Sequence, residues 1–98
     1  MKSASCVLMI LFLVGTACAD QPGERLFNRK CAMCHKVRGR GGDIGPDLTK
    51  VGSRLSLTQL QAKIAYPKKV TPGSSMPSFA TLPADEMQEL LNYLKTLK

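Results

Sequence analysis

The sequence predicts a small all-α domain of three to four helices. Three observations carry that prediction. Apolar residues recur at helical spacing in segments that begin near Pro22, Ser56 and Pro83, no convincing strand run occurs in residues 20–98, and Gly- and Pro-rich stretches separate the helical segments. A chain of 98 residues has room for one domain. Residues 1–19 read as a cleaved signal peptide: Lys2 supplies a positive start, Val7 to Val14 an unbroken apolar run, and Ala17-Cys18-Ala19 a small-x-small cleavage pattern. The apolar run is shorter than the ~20 residues of a spanning helix, so no transmembrane span is expected. The domain is then 20–98. Thr16-Ala17-Cys18 loosely resembles a bacterial lipoprotein site, which would tether the domain through Cys18, but Gly15 stands where such sites usually carry a larger aliphatic residue.

Taken in order, Gln21-Pro22-Gly23-Glu24 is a helix start, with Pro22 suited to the first helical position and Glu24 complementing the helix dipole. A helix to about Cys34 places Leu26, Phe27, Cys31 and Cys34 broadly on one side. Gly23 costs about 1 kcal/mol there relative to alanine, which suggests that another backbone passes close by. Residues 38–43 are polar and glycine-rich and read as a flexible loop; the Gly-Lys-Ser/Thr ending of a phosphate-binding loop is missing. Ile44-Gly45-Pro46-Asp47-Leu48 is a rigid turn in which Pro46 offers a carbonyl but no donor. Ser56 and Gln59 form a capping box for a helix over 57–66, on which Leu57, Leu60 and Ile64 follow helical spacing until Pro67 stops the run. Residues 68–75 read as extended and loop-like. The last helix starts at Pro83, carries Asp85 and Glu86 in its first turn and Lys95 and Lys98 at its end, and buries Met87, Leu90, Leu91, Leu94 and Leu97, with Tyr93 at the border of that face.

Residues 31–35, Cys31-Ala32-Met33-Cys34-His35, carry the chemistry. Cys-x-x-Cys-His is the attachment signature of a c-type haem: two sulfurs about one helical turn apart suit the two vinyl groups of one porphyrin, and the following imidazole takes one axial position on iron. A redox-active dithiol would instead sit beside a strand-helix-strand unit, which the sequence lacks. Structural zinc needs four Cys or His ligands, and beyond the leader the chain holds only Cys31, Cys34 and His35. Two chance cysteines beside a histidine would leave the downstream motifs unexplained. Because His35 is the single histidine, the second axial position falls to sulfur, another side chain, water or nothing. Met76, in Met76-Pro77-Ser78-Phe79, is the best sulfur candidate; Met33 is constrained between the cysteines and Met87 lies on the inner side of the last helix. An iron-bound imidazole also needs an acceptor for its other nitrogen, and the Pro46 carbonyl is available.

The formal charge of +7, one less once Lys2 is removed, favours encounter with acidic protein surfaces. Nucleic acid is a poor alternative partner, since the basic residues lack interleaved aromatics that could stack on bases. With Cys6 and Cys18 lost in the leader, no structural disulfide is available. A domain of this size sits near the limit for a hydrophobic core alone, and covalent haem is a suitable staple.

In these motifs and their order the chain resembles the class I c-type cytochromes, specifically the short single-haem bacterial kind, over essentially all of residues 20–98. The resemblance implies a small cytochrome c fold whose helices wrap around one covalent haem c attached through Cys31 and Cys34, with His35 and Met76 as axial metal ligands. It also implies a hydrogen bond from His35 to Pro46, a crossing of the first and last helices through Gly23, Phe27, Leu90 and Tyr93, and Arg54 near a haem propionate. The chain departs from some members in having no tryptophan. The function implied is a monomeric, soluble, periplasmic electron carrier, not an enzyme, shuttling single electrons between oxidase, reductase or dehydrogenase partners with acidic docking surfaces. Alternatives are a haem-based ligand-binding sensor and a dedicated cytochrome subunit of a dehydrogenase complex.

Overall fold

The computed structural model describes residues 21–98; the expected leader, 1–19, its cleavage site and Cys18 lie outside the described residues. Five helices and one small hairpin make up the described part: α1 (Pro22–Lys30), β1 (Lys36–Val37), β2 (Arg40–Gly41), α2 (Val51–Arg54), α3 (Leu57–Ala65), α4 (Pro67–Val70) and α5 (Ala84–Lys95). The all-α class holds. The helices are more numerous and shorter than periodicity alone suggested.

The core is built where α1 packs against α5. Leu26, Phe27, Met87, Leu90, Leu91, Tyr93, Leu94 and Leu97 are buried there, joined by Val51 from α2 and by Leu60 and Ile64 from α3. Burying a side chain such as Phe27 is worth about 1.5–3 kcal/mol. Gly23 is explained by this crossing: a Cβ on it would run into the backbone carbonyl of Glu89 and lie 2.8 Å from Tyr93 Cβ. Phe27 and Tyr93 meet as tilted rings with centroids 5.6 Å apart. Tyr93 is buried rather than at the border of the apolar face.

Three local expectations are corrected. The first helix ends at Lys30 rather than Cys34: the Ala32 amide donates back to Phe27 (3.0 Å) and the Cys34 amide to Cys31 (3.1 Å), so the regular ladder does not continue, and the turn that follows is held by the amides of Gly42 and Gly45 on the carbonyls of Ala32 and Cys34 (2.9 and 2.6 Å). Residues 38–43 are not a flexible loop. Val37 pairs with Arg40 and Lys36 with Gly41 across a two-residue turn, Arg38-Gly39, whose φ angles of 51° and 82° are the left-handed pair that a tight hairpin requires. Pro67 ends α3 but also opens α4, which occupies part of the stretch expected to be extended. The capping box on α3 is formed on both sides, Ser56 Oγ accepting from the Gln59 amide and Gln59 Oε1 from the Ser56 amide. Lys95 on α5 donates to the carbonyls of Gly52 and Leu55, and the Gly52 amide donates to Leu97. These bonds tie α2 to the last helix.

Candidate haem-binding site

The turn after α1 brings Cys31, Cys34 and His35 together. The amides of Cys34 and His35 both donate to the Cys31 carbonyl, at 3.1 and 3.0 Å, so the three side chains leave one compact turn. Both cysteines are free and half-buried. Burial, and secondarily the neighbouring Cys34, pushes the Cys31 thiol up to about 11. Among the described residues no group of three or more His, Cys, Asp or Glu is placed to hold a bare metal ion.

His35 Nδ1 lies 2.8 Å from the Pro46 carbonyl oxygen. A proline carbonyl can only accept, so Nδ1 carries the proton and donates, and Nε2 is left with its lone pair free. That is the tautomer a metal-ligating imidazole needs. Gly45 packs against the ring itself: a Cβ there would lie 2.5 Å from Cε1, 2.8 Å from Nδ1 and 3.1 Å from Nε2. Gly41 and Gly42 lie just as close to the turn, since a Cβ on either would strike the carbonyl of His35 or of Met33. Sequence reasoning missed these three glycines. The signal was present in the density of glycine just after the motif, but Gly41 and Gly42 read as flexibility and Gly45 only as part of a rigid turn.

Met76 is half-buried and packs against the core cluster, as do Cys31, Ala32, Leu48, Leu55, Phe79 and Leu82. Its segment is pinned to the end of α3 by Ser78 Oγ donating to the Ala65 carbonyl (2.6 Å) and by the Phe79 amide donating to Ile64 (2.9 Å). Met76 also lines a cavity of about 310 Å³ with Ala65, Tyr66, Pro67, Lys68, Lys69 and Ser78. Of the other methionines weighed as ligands, Met33 is 79% exposed and Met87 is buried in the core. Two unpaired thiols, an imidazole with one nitrogen committed and one free, and a partly covered apolar collar are a donor set and surface that fit a covalently held porphyrin.

The fold and this turn together define a small all-α protein that carries haem. Residues 21–98 match the sequence model of the family described as Cytochrome c, and the chain belongs to that family. A cytochrome c-553-like protein of Synechocystis sp. is 38% identical over 91 residues, 93% of this chain and 78% of its own length. Cytochrome c oxidase subunit 2 of Alkalihalophilus pseudofirmus is 30% identical over 95 residues, 81% of this chain; the match spans only 28% of that longer protein. Among solved structures, SoxXA from P. pantotrophus shares the fold with a TM-score of 0.72 at 23% identity, over 79% of this chain and 80% of that one. The protein therefore carries haem c bound covalently through Cys31 and Cys34, and it belongs among electron-transfer haem proteins. No helix among the described residues is long and apolar enough to cross a membrane.

Proposed function

We propose that this protein is a one-electron carrier working outside the cytoplasm, with His35 and Met76 as the axial ligands of its haem iron. The bond from His35 Nδ1 to Pro46, at 2.8 Å, carries the reading, because it dedicates Nε2 to the metal. Bound haem supplies an iron couple that cycles between ferrous and ferric states. The protein supplies the rest. His35 is oriented by Pro46 and Gly45, Met76 is presented on a segment anchored to α3, and an apolar surround together with sulfur ligation favours reduced iron and raises the potential. With His35 and Met76 both holding the group, reorganisation between its oxidation states would be small, which would suit electron transfer better than bond-making chemistry. The test is the optical spectrum of oxidised holoprotein: a sulfur-to-iron charge-transfer band that is lost in Met76→Ala supports the assignment, and identical spectra refute it.

The partners are redox proteins with acidic docking surfaces, matched to the net positive charge. Residues 1–19 act as an export signal, and the intact mass of the secreted protein would report the cut, the haem and any lipid on Cys18. The match to part of an oxidase subunit favours a second reading, in which this domain serves as the cytochrome module of a dedicated complex. Co-purification of the native protein with larger redox subunits would separate that from a freely diffusing monomer.

A further inference from the structure

A strap of five hydrogen bonds crosses between residues 32–38 and residues 42–49. Three join backbone to backbone: Gly42 to Ala32 at 2.9 Å, Gly45 to Cys34 at 2.6 Å and Leu48 to Lys36 at 2.8 Å. The fourth is the bond from His35 to Pro46. The fifth ends on a side chain, with the Arg38 amide donating to Thr49 Oγ1 at 2.8 Å. Arg38 has a φ of 51° and is the one non-glycine residue with positive φ among those described, a conformation disfavoured for a residue with a Cβ. Thr49 therefore takes a donor from a turn that needs holding. Its hydroxyl in turn donates to Asp47 Oδ1 at 2.5 Å, and the same oxygen accepts the Thr49 amide at 2.8 Å. These two bonds hold the Asp47 carboxyl below its ordinary range, the hydroxyl contributing most.

Asp47 shares a peptide unit with Pro46: the carbonyl that receives the His35 proton and the Asp47 amide lie in one plane. Closing the Asp47 side chain onto Thr49 fixes the backbone on the far side of that plane. Tying Thr49 to Arg38 fixes it relative to the strand that leaves His35. We propose that Thr49, buttressed by Asp47, is a positioning residue for the haem iron: its hydroxyl locks the Pro46 carbonyl against His35 and so sets the reduction potential. This rests on the reading of His35 as an axial ligand. A strong bond from Nδ1–H makes the imidazole a more basic donor, which favours ferric iron. Loosening the carbonyl weakens that bond and raises the potential.

The experiment compares wild-type holoprotein with Thr49→Val, which keeps the shape but loses the hydroxyl, and Thr49→Ser, which keeps the hydroxyl. Neither substitution changes the charge, so the potential is not shifted by a lost carboxylate. A group hydrogen-bonded directly to a metal-ligating side chain is worth about 10–100-fold in affinity or activity, and Thr49, acting through Asp47 and Pro46, is expected to move the ferrous-to-ferric ratio about threefold, roughly 28 mV upward at 59 mV per tenfold. Solvent exchange of the His35 Nδ1 proton, followed by NMR in the ferrous protein, should quicken in Thr49→Val and return to wild type in Thr49→Ser. A Thr49→Val protein that is easier to unfold yet keeps the wild-type potential and exchange rate overturns the proposal, because a purely structural hydroxyl behaves that way. Absence of an iron-linked imidazole resonance from the wild type itself would instead strike the ligand assignment, and the proposal with it.

Discussion

A methyl group at position 45 would lie within 3.1 Å of three atoms of the His35 ring. Gly45→Ala is therefore expected to tilt the imidazole and stretch its bond to Pro46. The measurement is the electron paramagnetic resonance spectrum of the ferric holoprotein, which should show displaced g values in the fraction that still takes up haem; an unchanged spectrum would mean that the loop, not the ring, gives way. At this scale the attaching cysteines and the histidine were legible, because their motif has a chemical signature independent of context, whereas the bond to Pro46 was implied by the family resemblance alone, since every residue offers a carbonyl. Gly41, Gly42, Gly45 and Thr49 were not legible. A glycine that lets the chain flex and a glycine that lets two backbones touch look alike until the second backbone is placed, and a threonine hydroxyl announces no partner.

Elements were legible where their stop signals were local. The capping box of Ser56 and Gln59 and the proline at the start of α5 announced themselves, whereas α1 ends where the Ala32 amide turns back to Phe27, in a turn held by amides ten and eleven residues downstream, which propensity cannot anticipate. The segment bearing Met76 depends on one such link. Ser78→Ala removes the hydrogen bond to the Ala65 carbonyl, a change expected to cost about 1 kcal/mol. Because the loss falls on the methionine segment, carbon monoxide should bind the ferrous variant faster than wild type; equal rates would show that Phe79 alone holds the segment. The α1–α5 crossing makes a pH prediction. Burial, and next the charge of Glu24, raises the Tyr93 phenol above its ordinary value. A raised value means that folding favours the neutral phenol, so this contribution is whole below the unfolded value of about 10 and is lost as pH climbs through the folded one. Urea midpoints should fall across that alkaline window, and Tyr93→Phe should flatten the fall.

For the molecule as a whole the dominant quantity is charge. Fourteen Lys and Arg stand against seven Asp and Glu, and Lys68 and Lys69 are exposed on α4, beside the cavity that Met76 lines. Electron transfer to an acidic partner should slow steeply as ionic strength rises, because the Debye length shrinks from about 30 Å at 0.01 M to about 10 Å at 0.1 M; a salt-independent rate would reduce the charge to a role in solubility. The strap around the imidazole has a different consequence, one of sequence distance. Everything that grips His35 comes from within a few turns of chain, with Pro46 only eleven positions away, whereas Met76 arrives from the other half of the polypeptide. Short loops cost less entropy to close than long ones. If His35 and Met76 hold the iron as proposed, a chain coming apart would thus shed its sulfur ligand first and keep its nitrogen ligand longest, passing through a species that is half dressed around its iron before it is bare.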